Sequence, residues 1–109
     1  MNRLCDLGYL PEHGAREFTV EQGDILLVRT PAGVNAYRNV CPHQGRAMNF
    51  APGEFLFTPD GLLVCPHHGA RFDPLTGECT DGPCKGASLS PVTLVIEEGA
   101  VWIDPEALA

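Results

Sequence analysis

Short β-prone runs separated by turn residues dominate the hydrophobic pattern of the chain. Glu17–Val20 and Asp24–Arg29 flank the turn at residues 21–23, and Val34–Arg38 follows the turn-like segment 30–33. Runs of this length, bounded by Gly and Pro, are typical of β-strands. The pattern therefore predicts three antiparallel strands over residues 17–38.

Two further hairpins are predicted along the chain. Residues 55–57 and 62–64 bracket Thr58-Pro59-Asp60-Gly61, whose Pro and Asp-Gly residues favour a tight turn. Val92–Glu97 and Ala100–Asp104 flank the turn-like pair at 98–99 in the same way. A weak helical pattern is confined to the last few residues.

Composition supports an all-β fold in one domain. The 109 residues match the usual size of a single domain, so residues 1–109 are expected to form one core. Hydrophobic residues make up 44% of the chain, as in a folded globular protein. The 12 Gly and 10 Pro residues are scattered, which favours many short strands over long helices.

Charge and hydropathy limit the partners and the compartment. The formal net charge of -7 argues against nucleic acid and suits either solubility or brief docking on a basic partner. No segment approaches the roughly 20 apolar residues of a membrane span, and the first residues lack the apolar segment of a signal peptide. We therefore expect a cytoplasmic protein with no membrane partner.

Two short clusters carry the candidate chemistry. Cys41-Pro42-His43 is followed by Gly45, and Cys65-Pro66-His67-His68 is followed by Gly69. Each cluster offers a thiolate and an imidazole, and the predicted hairpin over residues 55–64 would hold the two clusters side by side. In a chain without a secretion signal, such cysteines indicate metal ligation more readily than disulfides.

The ligand set alone admits zinc as well as an iron–sulfur cluster. Common zinc fingers pair Cys with Cys and His with His across a helix. Here each cluster mixes the two types, in the order Cys-x-His and then Cys-x-x-His. The spacing therefore does not fit the usual zinc finger.

With this motif the sequence resembles the Rieske family, whose 2Fe-2S cluster is held by Cys-x-His and a later Cys-x-x-His. The resemblance implies that Cys41 and Cys65 bind one iron of a single cluster and that His43 and His68 bind the other. His67 matches the non-ligand position. The implied fold is the Rieske all-β domain, with a small cluster-binding subdomain at about residues 40–85 on a larger antiparallel base.

Other positions follow or depart from the family pattern. Gly82-Pro83 is similar to the proline-containing third loop that covers the cluster. Arg46 and His67 stand where respiratory members have a disulfide, and Ala70 and Phe72 stand where those members place hydroxyl donors near the cluster sulfurs. Since such donors stabilise the reduced cluster, their loss predicts a low potential of about -150 mV.

The resemblance implies a ferredoxin that carries single electrons from a flavin-dependent reductase to an oxygenase or other terminal enzyme. The sequence has no mononuclear iron triad and no Gly-rich dinucleotide loop, so an electron-transfer protein rather than an enzyme is expected. One alternative is the small electron-transfer subunit of a larger reductase of the nitrite reductase type. Another is a zinc-stabilised interaction module.

The remaining reactive side chains have plainer interpretations. Cys5 is expected to be a buried or incidental thiol, and His13 a surface residue. Cys79 and Cys84 could pair as a disulfide, but a reducing compartment favours free thiols. Three basic residues are candidates for a local docking rim, although charged loop residues are usually only solvated: Arg46, Arg71 and Lys85.

Overall fold

The computed structural model describes residues 2–21, 23–42 and 45–104, and these form strands in three antiparallel sheets. A 3-10 turn over Leu7–Tyr9 is the one helical element of the described residues. The strands, in chain order, are β1 (Asn2–Asp6), β2 (Gly14–Val20), β3 (Gly23–Thr30), β4 (Gly33–Arg38), β5 (Leu56–Phe57), β6 (Leu63–Val64), β7 (Arg71–Phe72), β8 (Cys79–Asp81), β9 (Pro91–Val92), β10 (Leu94–Glu97) and β11 (Ala100–Ile103).

The central sheet has the strand order β2-β3-β4-β9 and confirms the three strands predicted over residues 17–38. Its strand β3 has four consecutive residues that are fully buried, Ile25 to Val28. A continuous apolar run of this kind is typical of a strand covered on both faces. Leu26 and Val28 face the core beneath the candidate ligands, while Ile25 and Leu27 face a second core against the terminal sheet.

The terminal sheet, of order β1-β11-β10, joins the two ends of the described chain. The apolar run predicted as one strand from Val92 to Glu97 is divided in the structure. Pro91–Val92 pairs with β4, whereas Leu94–Glu97 pairs with β11. The hydrophobic pattern did not show this division because both segments bury apolar side chains in the same core, so only the pairing partner changes at Thr93.

The third sheet has the order β5-β6-β7-β8, and the second Cys/His cluster lies between its strands β6 and β7. The hairpin predicted around residues 58–61 is confirmed, with shorter strands than expected. Its turn is closed by the Thr58 N–H, which donates to the Leu62 carbonyl at 2.8 Å. This hairpin leads directly to Cys65, as the sequence pattern indicated.

Strands β1, β7 and β8 and the 3-10 turn were not predicted. β1 is mostly polar and exposed, and its pairing with β11 rather than its own sequence makes it a strand. β7 and β8 have only two and three residues, too few to show a period. The helical pattern predicted for the last few residues falls on 105–109, outside the described residues.

Candidate metal centre

The first loop of the candidate site runs from Cys41 to Arg46 and is closed by backbone hydrogen bonds. The Cys41 N–H donates to the Arg46 carbonyl at 2.7 Å, and the Gly45 N–H donates to the Cys41 carbonyl at 2.8 Å. The side chain of Cys41 is only 1% exposed and belongs to the buried core that also contains Leu26 and Met48. The loop thus directs its cysteine inward.

The second loop, from Cys65 to Ala70, repeats this hydrogen-bond pattern. The Cys65 N–H donates to the Ala70 carbonyl at 2.8 Å, and the Gly69 N–H donates to the Cys65 carbonyl at 3.0 Å. Gly45 and Gly69 both have a left-handed backbone, with φ of 69° and 75°. Only glycine adopts this conformation without strain, which explains why each cluster has a glycine four residues after its cysteine.

The structure places the predicted ligands at two depths. Cys41 and Cys65 are buried within one core, whereas His68 is exposed at the surface of the second loop. His67, the predicted non-ligand, is also exposed, and His43 lies outside the described residues. The site therefore combines buried thiols with an accessible imidazole.

No three Cys, His, Asp or Glu side chains of the described chain lie close enough together to hold a single metal ion. A 2Fe-2S cluster does not require such a group, because its thiolates and imidazoles bind different irons. The buried thiols of Cys41 and Cys65 and the exposed imidazole of His68 would fit a two-iron cluster in which the thiolates hold the deeper, inner iron and the histidines hold the outer iron, nearer the surface. The described donor set therefore suits this cofactor.

A buried polar network braces the first loop, and the sequence did not reveal it. Asn39 is 5% exposed, and its side-chain oxygen accepts a hydrogen bond from the Met48 N–H at 2.8 Å. Its amide group donates to Asn49 at 2.8 Å, and Asn49 in turn donates to Glu17 on β2. Glu17 also accepts the Gly53 N–H at 2.9 Å. The network ties both ends of the loop to the central sheet.

A third loop, residues 79–87, packs against the second. Gly82 has φ of 98°, and a Cβ added to it would lie 2.8 Å from Cα of Ala70. The Gly82-Pro83 segment singled out in the sequence is therefore in backbone contact with the second loop. The contact requires glycine both for its backbone conformation and for the space.

The two positions at which respiratory members have hydroxyl donors are filled here by apolar groups. Ala70 and Phe72 have no exposed surface, and both pack in the core that contains Cys41 and Cys65.

The buried Tyr37 hydroxyl donates to the carbonyl of Pro74 at 2.9 Å. Burial, and then the charge of Asp73, raises the pKa of Tyr37 to about 12.

The remaining cysteines are all buried, and none of the described cysteines forms a disulfide. The Cys84 sulfur lies 3.1 Å from the sulfur of Cys79. Burial is the main reason why the pKa of Cys84 is raised to about 12. The hydrogen bond with Cys79 and the charge of Cys79 contribute next, and interactions with Cys41 add the remainder. Cys5 lies apart on β1, and burial raises the pKa of its thiol as well.

The surface predictions have mixed outcomes. His13 is exposed, as expected. Arg46 and Lys85 are exposed, but Arg71 forms an ion pair with Asp81 at 2.8 Å, which offsets one charge of the proposed basic rim. Within the described ranges, no helix is long and apolar enough to cross a membrane.

Comparison with known proteins gives a match to the family model described as Rieske [2Fe-2S] domain, over residues 1–97. The ferredoxin component of the alkene monooxygenase system of Xanthobacter autotrophicus is 31% identical over 91 residues, covering 84% of this chain and 70% of that protein. The oxygenase component of dicamba O-demethylase from Stenotrophomonas maltophilia is 35% identical over 95 residues, or 80% of this chain and 26% of that protein.

Among solved structures, the ferredoxin of carbazole 1,9a-dioxygenase from Nocardioides aromaticivorans IC177 has the same fold. Its TM-score is 0.78 at 23% identity, covering 96% of this chain and 99% of that one. Together the matches confirm the all-β fold class and the 2Fe-2S cofactor that the motif predicted. They identify the cofactor as an iron–sulfur cluster rather than zinc.

Proposed function

Because the chain belongs to the Rieske [2Fe-2S] domain family, we propose that it carries single electrons from a flavin-dependent reductase to a terminal oxygenase. The observation that carries the proposal is its 31% identity to a ferredoxin component of an oxygenase system, of which it covers 70%. By contrast, the chain spans about a quarter of the oxygenase component that it also matches, at 26% of that protein.

We propose Cys41 and Cys65 as the ligands of the inner iron, and His43 and His68 as those of the outer one. The matching hydrogen bonds of the two loops, which direct both cysteines into one core, support the first pair. The exposure of His68 supports its place on the outer iron. An imidazole at the surface would shorten the path for an electron to a docked partner.

When bound, the cluster supplies a one-electron acceptor whose two thiolates balance the charge of the oxidised core. The residues around it tune its potential. Ala70 and Phe72 provide no hydroxyl to the sulfurs, and both are fully buried, which limits the access of water as a substitute donor. We therefore propose a potential at the low end of the Rieske range, about -150 mV.

We further propose that residues 1–109 form one domain, with the cluster-binding subdomain at about residues 40–85. The radius of gyration of 12.9 Å supports this, since it matches the value of about 13 Å for a single domain of this size. A cytoplasmic location is also proposed, because cysteines in Cys/His clusters of metal-ligating spacing are typical of a reducing compartment.

The experiment is an anaerobic dithionite titration of the purified protein, with visible absorption, electron paramagnetic resonance, and iron and sulfide analysis. We expect a brown protein with one cluster and the low-average-g signal of a His-ligated centre after reduction. His68→Ala should abolish this signal. His67→Ala is the matched control, because His67 is the neighbouring residue and is also exposed, and it should retain the signal.

Two outcomes would contradict the proposal. A colourless protein containing zinc would exclude electron transfer by this chain. Loss of the signal in His67→Ala but not in His68→Ala would reverse the ligand assignment. For the partners, reduction by a flavin-dependent reductase and re-oxidation by an oxygenase are expected, whereas stable co-purification with a large reductase subunit would favour the alternative role.

A further inference from the structure

The third loop contains a pair of thiols that electron transfer by the cluster does not use. We propose that Cys79 and Cys84 form a redox site, which an oxidant of the peroxide class converts into an intramolecular disulfide and a dithiol reductant restores. This function goes beyond the proposed role as an electron carrier and does not depend on the identity of the partners.

The geometry of the two sulfurs carries the proposal. Cys84 Sγ lies 3.1 Å from Cys79 Sγ, in a core where Cys79 is 1% and Cys84 9% exposed. Cys79 Sγ also contacts the Asp81 carbonyl at 3.2 Å. The Cys84 sulfur thus contacts Cys79 and also interacts with Cys41, and within the Cys79–Cys84 pair oxidation of one thiol leaves the other in position to react.

The backbone around the pair already forms a closed loop. The Cys79 N–H donates to the Ala87 carbonyl at 2.8 Å, and the Ala87 N–H donates to the Cys84 carbonyl at 2.9 Å. The Gly86 N–H donates to the Cys79 carbonyl at 3.2 Å. Because disulfides form only between cysteines whose backbones are already close, this loop meets the main geometric condition.

The difference in exposure sets the order of the reaction. Cys84 is the less buried of the two thiols, at 9% exposure against 1%, so the peroxide reacts there first: an oxygen atom is transferred to its sulfur, giving a sulfenic acid, and one water leaves. This step is slow, because the raised pKa of Cys84 keeps its sulfur protonated at neutral pH. Cys79 Sγ then attacks the Cys84 sulfur, the S–S bond forms, the S–O bond breaks and a second water carries away the remaining protons. Two electrons pass from the thiols to the peroxide.

The consequence of the cross-link follows from the position of the loop. Its Gly82 is in backbone contact with Ala70, the last residue of the second loop. A disulfide between Cys79 and Cys84 would fix the two sides of the loop that carries Gly82. The redox state of the pair would thus set the rigidity of the cover over the second loop.

The test uses the holoprotein, treated with limiting hydrogen peroxide while the visible absorption of the cluster is followed. The protein is then denatured in acid, alkylated and digested with trypsin. Cys79 and Cys84 fall together in the peptide Phe72–Lys85, whereas Cys5 falls in Leu4–Arg16. We expect the first peptide to lose two hydrogens and take no alkyl group, and dithiothreitol to reverse the change.

Variants assign the roles of the two thiols. Cys79→Ser should leave a sulfenic acid on Cys84 that a dimedone probe captures, whereas Cys84→Ser should leave Cys79 alkylatable. Cys5→Ser is the control, buried in another core, and should retain the disulfide. Recovery of the wild-type peptide with both thiols alkylated, or bleaching of the cluster before any cross-link appears, would overturn the proposal even if the variants fail to fold.

Discussion

Gly82 of the third loop and Ala70 of the second loop are in direct backbone contact, so close that a Cβ on Gly82 would lie 2.8 Å from the Ala70 Cα. Gly86, in the same loop, has nearly the same backbone conformation, with φ of 96° against 98° for Gly82, yet has open space where its Cβ would be. Substitutions at Gly82 and Gly86 therefore introduce the same backbone strain, and only the one at Gly82 also disturbs a contact between loops.

We expect Gly82→Ala to destabilise the protein more than Gly86→Ala. Both substitutions place a side chain on a left-handed backbone, which lowers the free energy of unfolding by about 1–2 kcal/mol. Only Gly82→Ala must also move the two loops apart, which lowers it by about 1–3 kcal/mol more. Denaturant unfolding of the holoprotein, followed by the visible absorption of the cluster, measures the difference. Equal midpoints for the two variants would show that the loops separate without cost.

Asn39→Ala should destabilise the first loop. The substitution leaves the buried Met48 N–H without its acceptor and removes the link to Asn49, which costs about 1–3 kcal/mol. The rate of iron release to a chelator should rise with it. Asn35→Ala is the control, because its side chain bonds the Leu75 carbonyl in an exposed position and should cost less. Similar release rates for both variants would contradict this role of Asn39.

Phe72→Tyr should raise the midpoint potential of the cluster. A hydroxyl that reaches a ligand sulfur stabilises the more negative reduced form by about 1 kcal/mol, on the order of 40 mV for a one-electron couple. Phe57→Tyr, at a partly buried position packed on the same core, is the control and should leave the potential unchanged. A redox titration followed by visible absorption compares them, and an unchanged value in Phe72→Tyr would mean that its hydroxyl faces away from the sulfurs.

Stability should fall in strongly alkaline solution because of Tyr37. Its pKa is about 12 in the folded protein, above its usual value near 10, so the folded state holds its proton more tightly than the unfolded state. The contribution is full below pH 10 and is lost as the pH rises towards 12, amounting to about 2–3 kcal/mol. Urea unfolding between pH 9 and 12 measures this loss.

Two tyrosine variants test the assignment of this pH dependence. Tyr37→Phe should make the alkaline decrease in stability shallower, since it removes one titrating group and leaves Cys84, whose pKa is also raised to about 12. Tyr9→Phe should retain the decrease, because Tyr9 is 59% exposed and folding removes little of its side chain from water. If Tyr37→Phe loses stability as steeply as the wild type, another group is responsible.

The sequence by itself determined the class of cofactor and three strands of the central sheet, β2, β3 and β4. The order Cys-x-His and Cys-x-x-His is a local pattern, and so is the run from Ile25 to Val28, whose unbroken apolar character indicates a strand buried on both faces. A hairpin turn at residues 58–61 is equally local. These features could be predicted because neighbouring residues specify them.

Only the tertiary structure decided which distant residues meet. The change of sheet at Thr93, the bracing of the first loop by Glu17 and the contact of Gly82 with Ala70 each depend on pairing between segments far apart in the chain. The 3.1 Å approach of Cys79 and Cys84 depends on the course of a loop that has no period. A periodic pattern specifies which face of a strand is buried, but it does not specify the partner that buries it.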